Sequence, residues 1–314
     1  MEKRILILTD GKAGHENQSK AFARALGCGF DLFEIHFRSA FHKALSYPLD
    51  RLGVHTPALF DKVPAGKGPY AAVLGTGSGT FYAAKTFARR LGVPCGVVLY
   101  PRGYRIASFD CVLAPAFDRP PAAPNVIEIP ANLVANDADF YSAGTEAFLS
   151  RHHAAPHGAV AIIVGGPNKC STMTADWMRA QLERVFAENG HPAFAQAPAG
   201  PAPEFWVTTS RRTPADVEAV VDAFPFDYKL LYSKDHFNPI PAFVSLADVL
   251  YVTAESTGML SEACTFGTSE VRVLDNLNPG PHKFRRFAES CARLGRKKID
   301  LAGPFAAARS LLGL

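Results

Sequence analysis

The sequence predicts an α/β protein made of two open domains, each with a parallel sheet, that face a central cleft. Short β-branched or apolar runs alternate with helical patterns along the chain, which is typical of βα units. This alternation occurs twice, on either side of a polar stretch at 151–158. The length of 314 residues is more than one core comfortably supports. Two α/β domains therefore fit the chain best.

Each half contains a series of predicted strands. The first half has six, at Arg4–Thr9, Leu32–Phe37, Tyr70–Leu74, Cys95–Leu99, Cys111–Ala114 and Val126–Ile129. The second half has five, at Ala159–Val164, Phe205–Thr209, Tyr228–Tyr232, Val249–Thr253 and Val271–Leu274. The helices between them include 16–26, 80–91, 175–188, 214–223 and 258–266. Gly27 and Gly92 follow two of these helices and supply the left-handed residue with which helices commonly end.

These elements suggest four segments. We expect an N-terminal domain at 1–150, a linker at 151–158, a second domain at 159–280, and a helical segment at 281–314 that packs back on the first domain. The proline-rich stretch 198–203 is predicted to be a surface loop.

Composition narrows the class of protein further. A net charge of +4 with 48% hydrophobic residues is ordinary for a globular protein, so disorder and nucleic-acid binding are not expected. The six cysteines are scattered and form no C-x-x-C pair, which fits a reducing cytoplasm rather than zinc or disulfides. No apolar run reaches the ~18 residues of a membrane helix. We expect a cytoplasmic protein. The basic stretches 282–286 and 293–298 are interpreted as a solvated helix face, with peripheral contact at the inner membrane as the alternative.

The first strand runs into a polar turn, Thr9–His15, ahead of a helix. Glycines in this turn let the backbone approach a ligand at a helix N-terminus. His15 then becomes a candidate general base for catalysis, because an imidazole titrates near neutral pH. The other interpretation is that His15 only hydrogen-bonds to the turn. The remaining polar and glycine positions here are predicted to line the acceptor side of the cleft, namely Asp10, Lys12, Gly14 and Gln18.

A second glycine-rich turn, Gly75–Thr80, follows the third strand. Its glycines are spaced G-x-G-x-G and do not follow the first strand, so it is only part of a dinucleotide fingerprint. Thr76 and Ser78 are predicted to lie in the cleft. Substrate contact and simple turn formation are equally good interpretations of this turn.

Three turns of the second half are rich in groups that bind anions. The first turn carries two glycines and a lysine, the second a hydroxyl and the two guanidiniums of Arg211 and Arg212, and the third two hydroxyls at a helix start. Any one of them alone is also explained as an ordinary capped turn, but three on the same sheet edge predict a nucleotide-diphosphate site. Glu262 lies one turn into the helix that follows the third of these turns, where its carboxylate can accept hydrogen bonds from a sugar or ribose. The turn residues concerned are Gly165, Gly166, Lys169, Ser210, Arg211, Ser256 and Thr257.

No metal site is predicted. Asp137 and Asp139 form a D-x-D pair, but they lie at an expected helix start, where acidic side chains interact favourably with the helix dipole.

Several segments resemble the mitochondrial fission protein family known from plant "elongated mitochondria" mutants and its bacterial relatives. They occur in order along nearly the whole chain, at 9–18, 165–169, 208–214, 238–256, 261–267 and 282–287. The family looks like GT-B glycosyltransferases, which have two Rossmann-like domains and a nucleotide-sugar cleft. The resemblance therefore implies that fold here, with a nucleoside-diphosphate sugar as the ligand.

A more distant resemblance is to lipid-linked N-acetylglucosaminyltransferases of the peptidoglycan type. It implies that Gly14 and His15 lie beside the acceptor and that Glu262 binds the nucleotide ribose. This chain departs from the pattern after Gly267, where Thr268–Glu270 replaces a small residue followed by proline. The departure bears on the base pocket more than on the ribose contact.

Two functions of different classes follow. The first is a metal-independent glycosyltransferase-like enzyme that needs no cofactor and transfers sugar from a nucleoside-diphosphate donor to a glycan or lipid-linked acceptor. The alternative is a non-catalytic GT-B-fold binding or recruitment protein at a membrane surface, which it would contact through Lys283, Arg285 and Arg286. An NAD-dependent epimerase is disfavoured, because the first strand lacks G-x-x-G-x-x-G and the chain lacks a Tyr-x-x-x-Lys pair.

Overall fold

A computed structural model describes residues 3–64, 68–154, 158–194 and 202–314. Residues 155–157 of the predicted linker and 198–201 of the predicted surface loop lie outside these ranges. Contacts divide the chain into two compact units. The first unit comprises residues 1–135 and 300–314, and the second unit comprises residues 136–299.

The described residues form eleven strands and ten α-helices. The strands are β1 (Arg4–Thr9), β2 (Gly29–Glu34), β3 (Tyr70–Thr76), β4 (Cys95–Val98), β5 (Cys111–Pro115), β6 (Val126–Ile129), β7 (Ala159–Ile163), β8 (Glu204–Thr208), β9 (Tyr228–Leu230), β10 (Val249–Thr253) and β11 (Glu270–Leu274). The helices are α1 (Ala13–Ala25), α2 (Ala40–Arg51), α3 (Phe81–Leu91), α4 (Ala138–Leu149), α5 (Ala175–Glu188), α6 (Ala215–Ala223), α7 (Ile240–Leu246), α8 (Thr257–Thr265), α9 (Lys283–Leu294) and α10 (Ala302–Leu311).

Both sheets are entirely parallel, which confirms the predicted fold class. The first unit has the strand order β2-β1-β3-β4-β5-β6, and the second has β11-β10-β7-β8-β9. Parallel sheets are covered on both faces, so their central strands carry apolar side chains on both sides. In β1, for example, Leu6 and Leu8 contribute to one core cluster and Ile5 and Ile7 to another.

The two faces of the first sheet are covered by different helices. Phe81, Tyr82 and Phe87 of α3 lie in the same cluster as Leu6 and Leu8. The opposite cluster contains Phe22 of α1, with Ala308 of α10 and Leu312 just beyond it. The last helix of the chain is therefore part of the core of the first unit.

Helix α4 belongs to the second unit, although we expected the first domain to continue to residue 150. Phe148 of α4 packs on Trp206 at 5.1 Å and on Phe243 at 5.9 Å between ring centroids, and it is fully buried. His152, in the predicted linker, pairs with Glu204 at 2.7 Å. The chain thus changes unit before α4, because the apolar face of this helix is covered by the second core.

The predicted segment 281–314 is divided between the units. Helix α9 packs on β11 and α8 of the second unit, whereas α10 packs on β5 and β6 of the first. In α9, Phe287, Ala288 and Cys291 are buried. The apolar face of α9 therefore faces its own core.

Two predicted boundaries differ from the structure near the first strand. Strand β2 begins at Gly29 rather than Leu32, because residues 29–34 pair in register with β1. Helix α1 begins at Ala13 rather than Glu16, so His15 lies in its first turn. Gly27 and Gly92 take positive φ values of 65° and 70° after their helices, as predicted.

Each sheet has one point where the chain reverses its direction of travel across the sheet. In the first unit this point lies between β1 and β3, and in the second it lies between β10 and β7. In open parallel sheets, ligands bind outside the carboxyl ends of the strands at such switch points. The loops after β1, β3, β7 and β10 are therefore the candidate ligand-binding loops.

Candidate functional site

In the first unit, the loop after β1 places an aspartate against His15. Nδ1 of His15 lies 3.0 Å from Oδ1 of Asp10. Because a carboxylate only accepts hydrogen bonds, Nδ1 must carry the proton and Nε2 is left to accept one. Sequence reasoning placed Asp10 in the cleft but missed that it orients the histidine.

Asp10 is itself held as a carboxylate. Burial alone would raise its pKa, but hydrogen bonds and charge from Lys12 and His15 outweigh burial and lower the pKa below its ordinary value. Nζ of Lys12 lies 2.5 Å from Oδ2 of Asp10. Asp10 is therefore ionised near neutral pH and can stabilise an imidazolium at His15.

The two predicted turn glycines of this loop differ in role. Gly11 has a φ of 75°, which favours glycine, so it is the residue that turns the chain. Gly14 lies inside α1, and a Cβ there would meet nothing within 4 Å. The prediction that both glycines form the turn is therefore wrong for Gly14.

The glycine-rich turn after β3 makes room for this aspartate–histidine pair. A Cβ on Gly77, whose φ is 84°, would lie 2.3 Å from Cε1 of His15. A Cβ on Gly79 would lie 2.8 Å from Cβ of Asp10. The G-x-G-x-G spacing thus serves close packing of the two loops at the switch point.

The other predicted cleft residues of this unit mostly have partners nearby. The Thr76 hydroxyl is buried and lies 2.6 Å from Oγ of Ser19. Oγ of Ser78 accepts a hydrogen bond from Nζ of Lys43 at 3.0 Å. Nε2 of Gln18 donates to the Gly14 carbonyl at 3.4 Å. Thr76 therefore supports the loop, while Ser78 remains exposed.

A cavity of about 310 Å³ opens beside Asp10 in the first unit. It lies among the loops after β1, β2 and β3 and the start of α2, and its lining combines charged and apolar side chains. The lining residues are Asp10, Lys12, Ile35, His36, Phe37, Ser39, Ala40, Lys43 and Gly79.

In the second unit, the loop after β7 is hydrogen-bonded to Glu255, which lies just after β10. The Gly165 N–H donates to Oγ1 of Thr253 at 2.9 Å, and the Gly166 N–H donates to Oε1 of Glu255 at 2.7 Å. Glu255 is only 3% exposed. Both glycine N–H groups are therefore already used within the protein, and this is a role of Glu255 that sequence reasoning missed.

Close packing explains the glycines at these positions. A Cβ on Gly165 would lie 2.0 Å from Oε1 of Glu255, and one on Gly166 would lie 2.2 Å from the Arg212 carbonyl oxygen. Nη1 of Arg212 donates back to the Gly166 carbonyl at 3.0 Å. Arg212 thus joins the loops after β7 and β8.

Lys169 and Arg211 are the cations that remain free beside these loops. Both are exposed, and neither makes a hydrogen bond or ion pair within the described parts of the chain. Ser210 lies next to Arg211, and its backbone N–H donates to Oγ1 of Thr213 at 2.9 Å. The neighbouring strands β7 and β8 thus each present one unpaired cation at their carboxyl end.

The N-terminus of α8 follows β10 directly and is open. Its N-cap, Ser256, makes no capping hydrogen bond with its side chain. Within the described ranges, nothing accepts a hydrogen bond from the N–H groups of Gly258 and Met259. With Thr257 at its first position, this nine-residue helix presents donors and the positive end of its dipole.

Glu262 lies on α8 and is bound by α4. Its Oε1 accepts hydrogen bonds from the Tyr141 hydroxyl at 2.8 Å and from Nδ2 of Asn136 at 3.3 Å. Burial raises the pKa of Glu262, and these two hydrogen bonds oppose part of that rise. Sequence reasoning missed both partners, because they lie more than a hundred residues away and carry no motif.

Metal ions and membranes are the last two subjects of the sequence predictions. Across the described ranges, no group of three or more His, Cys, Asp or Glu side chains is arranged to hold a metal ion. Asp137 caps α4 by accepting from the Phe140 N–H at 3.0 Å. None of the described helices is long and apolar enough to span a membrane.

Solved structures of known proteins share this fold. A Listeria monocytogenes protein assigned as a UDP-N-acetylglucosamine 2-epimerase matches with a TM-score of 0.50 and 10% identity, over 99% of this chain and 95% of that one. The UDP-GlcNAc 2-epimerase of Neisseria meningitidis, bound to UDP-GlcNAc, matches with a TM-score of 0.49 and 12% identity. This match covers 100% of this chain and 98% of that one. MurG of Acinetobacter baumannii matches with a TM-score of 0.45 and 12% identity, over 99% of each chain. At such identities the likeness concerns the fold alone.

The fold of the Listeria monocytogenes protein is the GT-B type, so the predicted GT-B-like class is confirmed. No curated protein sequence matches the chain. The model of one family, described as Mitochondrial fission ELM1, matches residues 13–302. That range contains almost every segment on which the resemblance was based, so the resemblance is confirmed. The chain belongs to the Mitochondrial fission ELM1 family.

Proposed function

We propose that the protein binds a nucleoside-diphosphate sugar at the switch point of its second unit and transfers the sugar to an acceptor, without a metal ion. The observation that carries this proposal is the set of loops after the adjacent strands β10, β7 and β8. They present the open N-terminus of α8 and the unpaired cations Lys169 and Arg211 at one edge of one sheet.

Charge is the main physical argument. A diphosphate leaving group develops negative charge as the sugar departs, and oriented donors stabilise that charge without reorganising. The N–H groups of Gly258 and Met259 suit phosphate oxygens, as do the two cations. Glu255 and Arg212 fix the loops, so the donors are held in place before the ligand arrives.

Glu262 supplies the contact that distinguishes a nucleotide from inorganic diphosphate. Its Oε1 is occupied by Tyr141 and Asn136, while Oε2 has no partner among the described residues. A ribose hydroxyl can donate to Oε2.

His15 is the proposed general base. Nε2 takes the proton from the acceptor hydroxyl as that oxygen bonds to the sugar C1, and the C1–O bond to the diphosphate breaks with its electron pair leaving on the diphosphate. Asp10, 3.0 Å from Nδ1, then stabilises the imidazolium. The acceptor is a glycan or a lipid-linked hydroxyl compound.

Binding of UDP in the presence of EDTA tests the nucleotide site. UDP is the first nucleotide to test, because the Listeria monocytogenes protein of similar fold is assigned as a UDP-N-acetylglucosamine 2-epimerase. We expect calorimetry to show binding, weakened roughly tenfold by Lys169→Ala and by Arg211→Ala, since each removes a charge-assisted contact. Arg179→Ala, which removes an exposed cation from α5, is the matched control.

Two results would contradict the proposal. One is no binding of UDP, GDP, ADP or CDP by the wild-type protein. The other is binding that Lys169→Ala and Arg211→Ala leave at the level of the Arg179→Ala control.

The recruitment hypothesis gains no support from α9. Its buried side chains Phe287, Ala288 and Cys291 are not available to a lipid surface. Nη1 of Arg285 is also paired with Asp275 at 2.7 Å. A membrane contact at this helix would therefore not involve these three apolar side chains.

A further inference from the structure

Helix α4 and the residue before its cap bind Glu262 through two separate donors. Tyr141 is 6% exposed, and its ring stacks on Phe266 at the end of α8 with 4.4 Å between centroids. Its hydroxyl donates to Oε1 of Glu262 at 2.8 Å, and Nδ2 of Asn136 donates to the same oxygen at 3.3 Å. Burial and the nearby carboxylate raise the pKa of Tyr141, so its hydroxyl keeps the proton that it donates.

These contacts leave the two oxygens of Glu262 in different states. A carboxylate oxygen accepts about two hydrogen bonds, so Oε1 is saturated. Oε2 accepts none within the described ranges, and it is not among the atoms that are sealed from solvent without a partner. A carboxylate held at one oxygen loses most of its rotational freedom and presents the other in a fixed direction.

We propose that Tyr141 and Asn136 are positioning residues that aim Oε2 of Glu262 at a ribose hydroxyl, and so make the site selective for ribonucleotides over deoxyribonucleotides. The inference rests on the nucleotide site proposed above and names a property of that site. Neither residue touches the ligand in this arrangement. They act through Glu262 alone.

Selectivity for the sugar, rather than affinity as such, is the property to measure. Calorimetry with UDP, 2′-deoxy-UDP and 3′-deoxy-UDP gives a ratio of dissociation constants for each variant. We expect the wild-type protein to prefer UDP over at least one deoxy analogue by roughly tenfold, because an ionised acceptor would lose its donor. Tyr141→Phe is expected to reduce that ratio by roughly threefold or more.

Three companion variants connect the effect to Glu262. Glu262→Gln is expected to bring the ratio close to one, and adding Tyr141→Phe to it is expected to change the ratio no further. Asn136→Ala removes the second donor without disturbing the buried ring, so it tests the same point if Tyr141→Phe folds poorly.

The matched control is Tyr251→Phe. Tyr251 also lies in the second unit, and its hydroxyl donates to another glutamate, Oε2 of Glu188, at 3.2 Å. We expect it to lower thermal stability and to leave the selectivity ratio at the wild-type value.

The outcomes separate the two proposals. UDP binding with wild-type selectivity in both Tyr141→Phe and Asn136→Ala would overturn the positioning role and leave the nucleotide site standing. No binding of UDP to the wild-type protein would overturn both. A purely structural role for Tyr141 would appear as a lower melting temperature with an unchanged ratio.

Discussion

Gly77 and Gly14 show how differently two glycines near the same histidine can be constrained. Gly77 has a positive φ and leaves space that the His15 ring occupies, whereas Gly14 is a helical residue with open space around it. A glycine in a motif is informative only when its φ angle or its neighbours exclude a side chain. Both conditions hold at Gly77 and neither holds at Gly14.

Alanine at these two positions should affect stability in opposite directions. Gly77→Ala is expected to lower the free energy of unfolding by at least ~1 kcal/mol, because it adds a strained φ and a clash with His15. Gly14→Ala is expected to raise it by up to ~1 kcal/mol, because alanine favours helix. Urea unfolding measures both. Equal effects of the two substitutions would contradict this account.

The nine residues of helix α8 carry two of the features on which the proposed site depends. Its first turn offers unpaired N–H groups, while its second carries Glu262 against α4. In the proposed site, this helix would bind phosphate at one end and ribose one turn later. Burial of Glu262 has a consequence for pH, since a buried carboxylate takes up a proton more readily than an exposed one.

Nucleotide binding is expected to weaken on acidification at a higher pH than an ordinary glutamate would allow. The pKa of Glu262 is raised from its ordinary value, so as the pH falls the side chain is protonated early and loses acceptor capacity. UDP affinity measured from about pH 7.5 to pH 5 should fall more steeply for the wild-type protein than for Glu262→Gln. Parallel pH profiles would contradict this. Protonation of UDP itself affects both proteins equally.

The pKa shift of Glu262 also contributes to stability with a defined sign. Its pKa is raised in the folded protein, so this contribution favours the folded state at low pH and is lost as the pH rises through the folded-state value. Glu262→Gln is therefore expected to stabilise the protein more at neutral pH than near pH 5. Thermal unfolding at the two pH values measures the difference, and a gain that is larger near pH 5 would argue against it.

At the scale of the whole molecule, the chain leaves its first unit after residue 135 and returns to it at residue 300. The return adds α10 to the first core, where Leu312 is 1% exposed and Ala308 is fully buried. The first unit is therefore completed only by the last residues of the chain. Its integrity depends on both ends of the sequence.

Adjacent leucines near the C-terminus offer a matched test of this arrangement. Leu312→Ala is expected to lower the stability of the first unit by about 2–5 kcal/mol, whereas Leu311→Ala, at a position 36% exposed, should have little effect. Hydrogen exchange would show faster exchange of amides in β1, β3 and β4 and unchanged exchange in β7, β8 and β10. Destabilisation confined to the second unit would contradict the assignment of α10.

Sequence alone determined the α/β class, all eleven strands to within a few residues, the helix-ending glycines Gly27 and Gly92, and the family. These features are local, because apolar runs and glycine positions act on the backbone around them. Only the tertiary structure decided that α4 belongs to the second unit, that Glu255 holds Gly166, and that Tyr141 and Asn136 bind Glu262. Such partners are set by strand order and helix packing, which bring residues 89 to 126 positions apart into hydrogen-bonding distance. A one-dimensional pattern does not contain those distances.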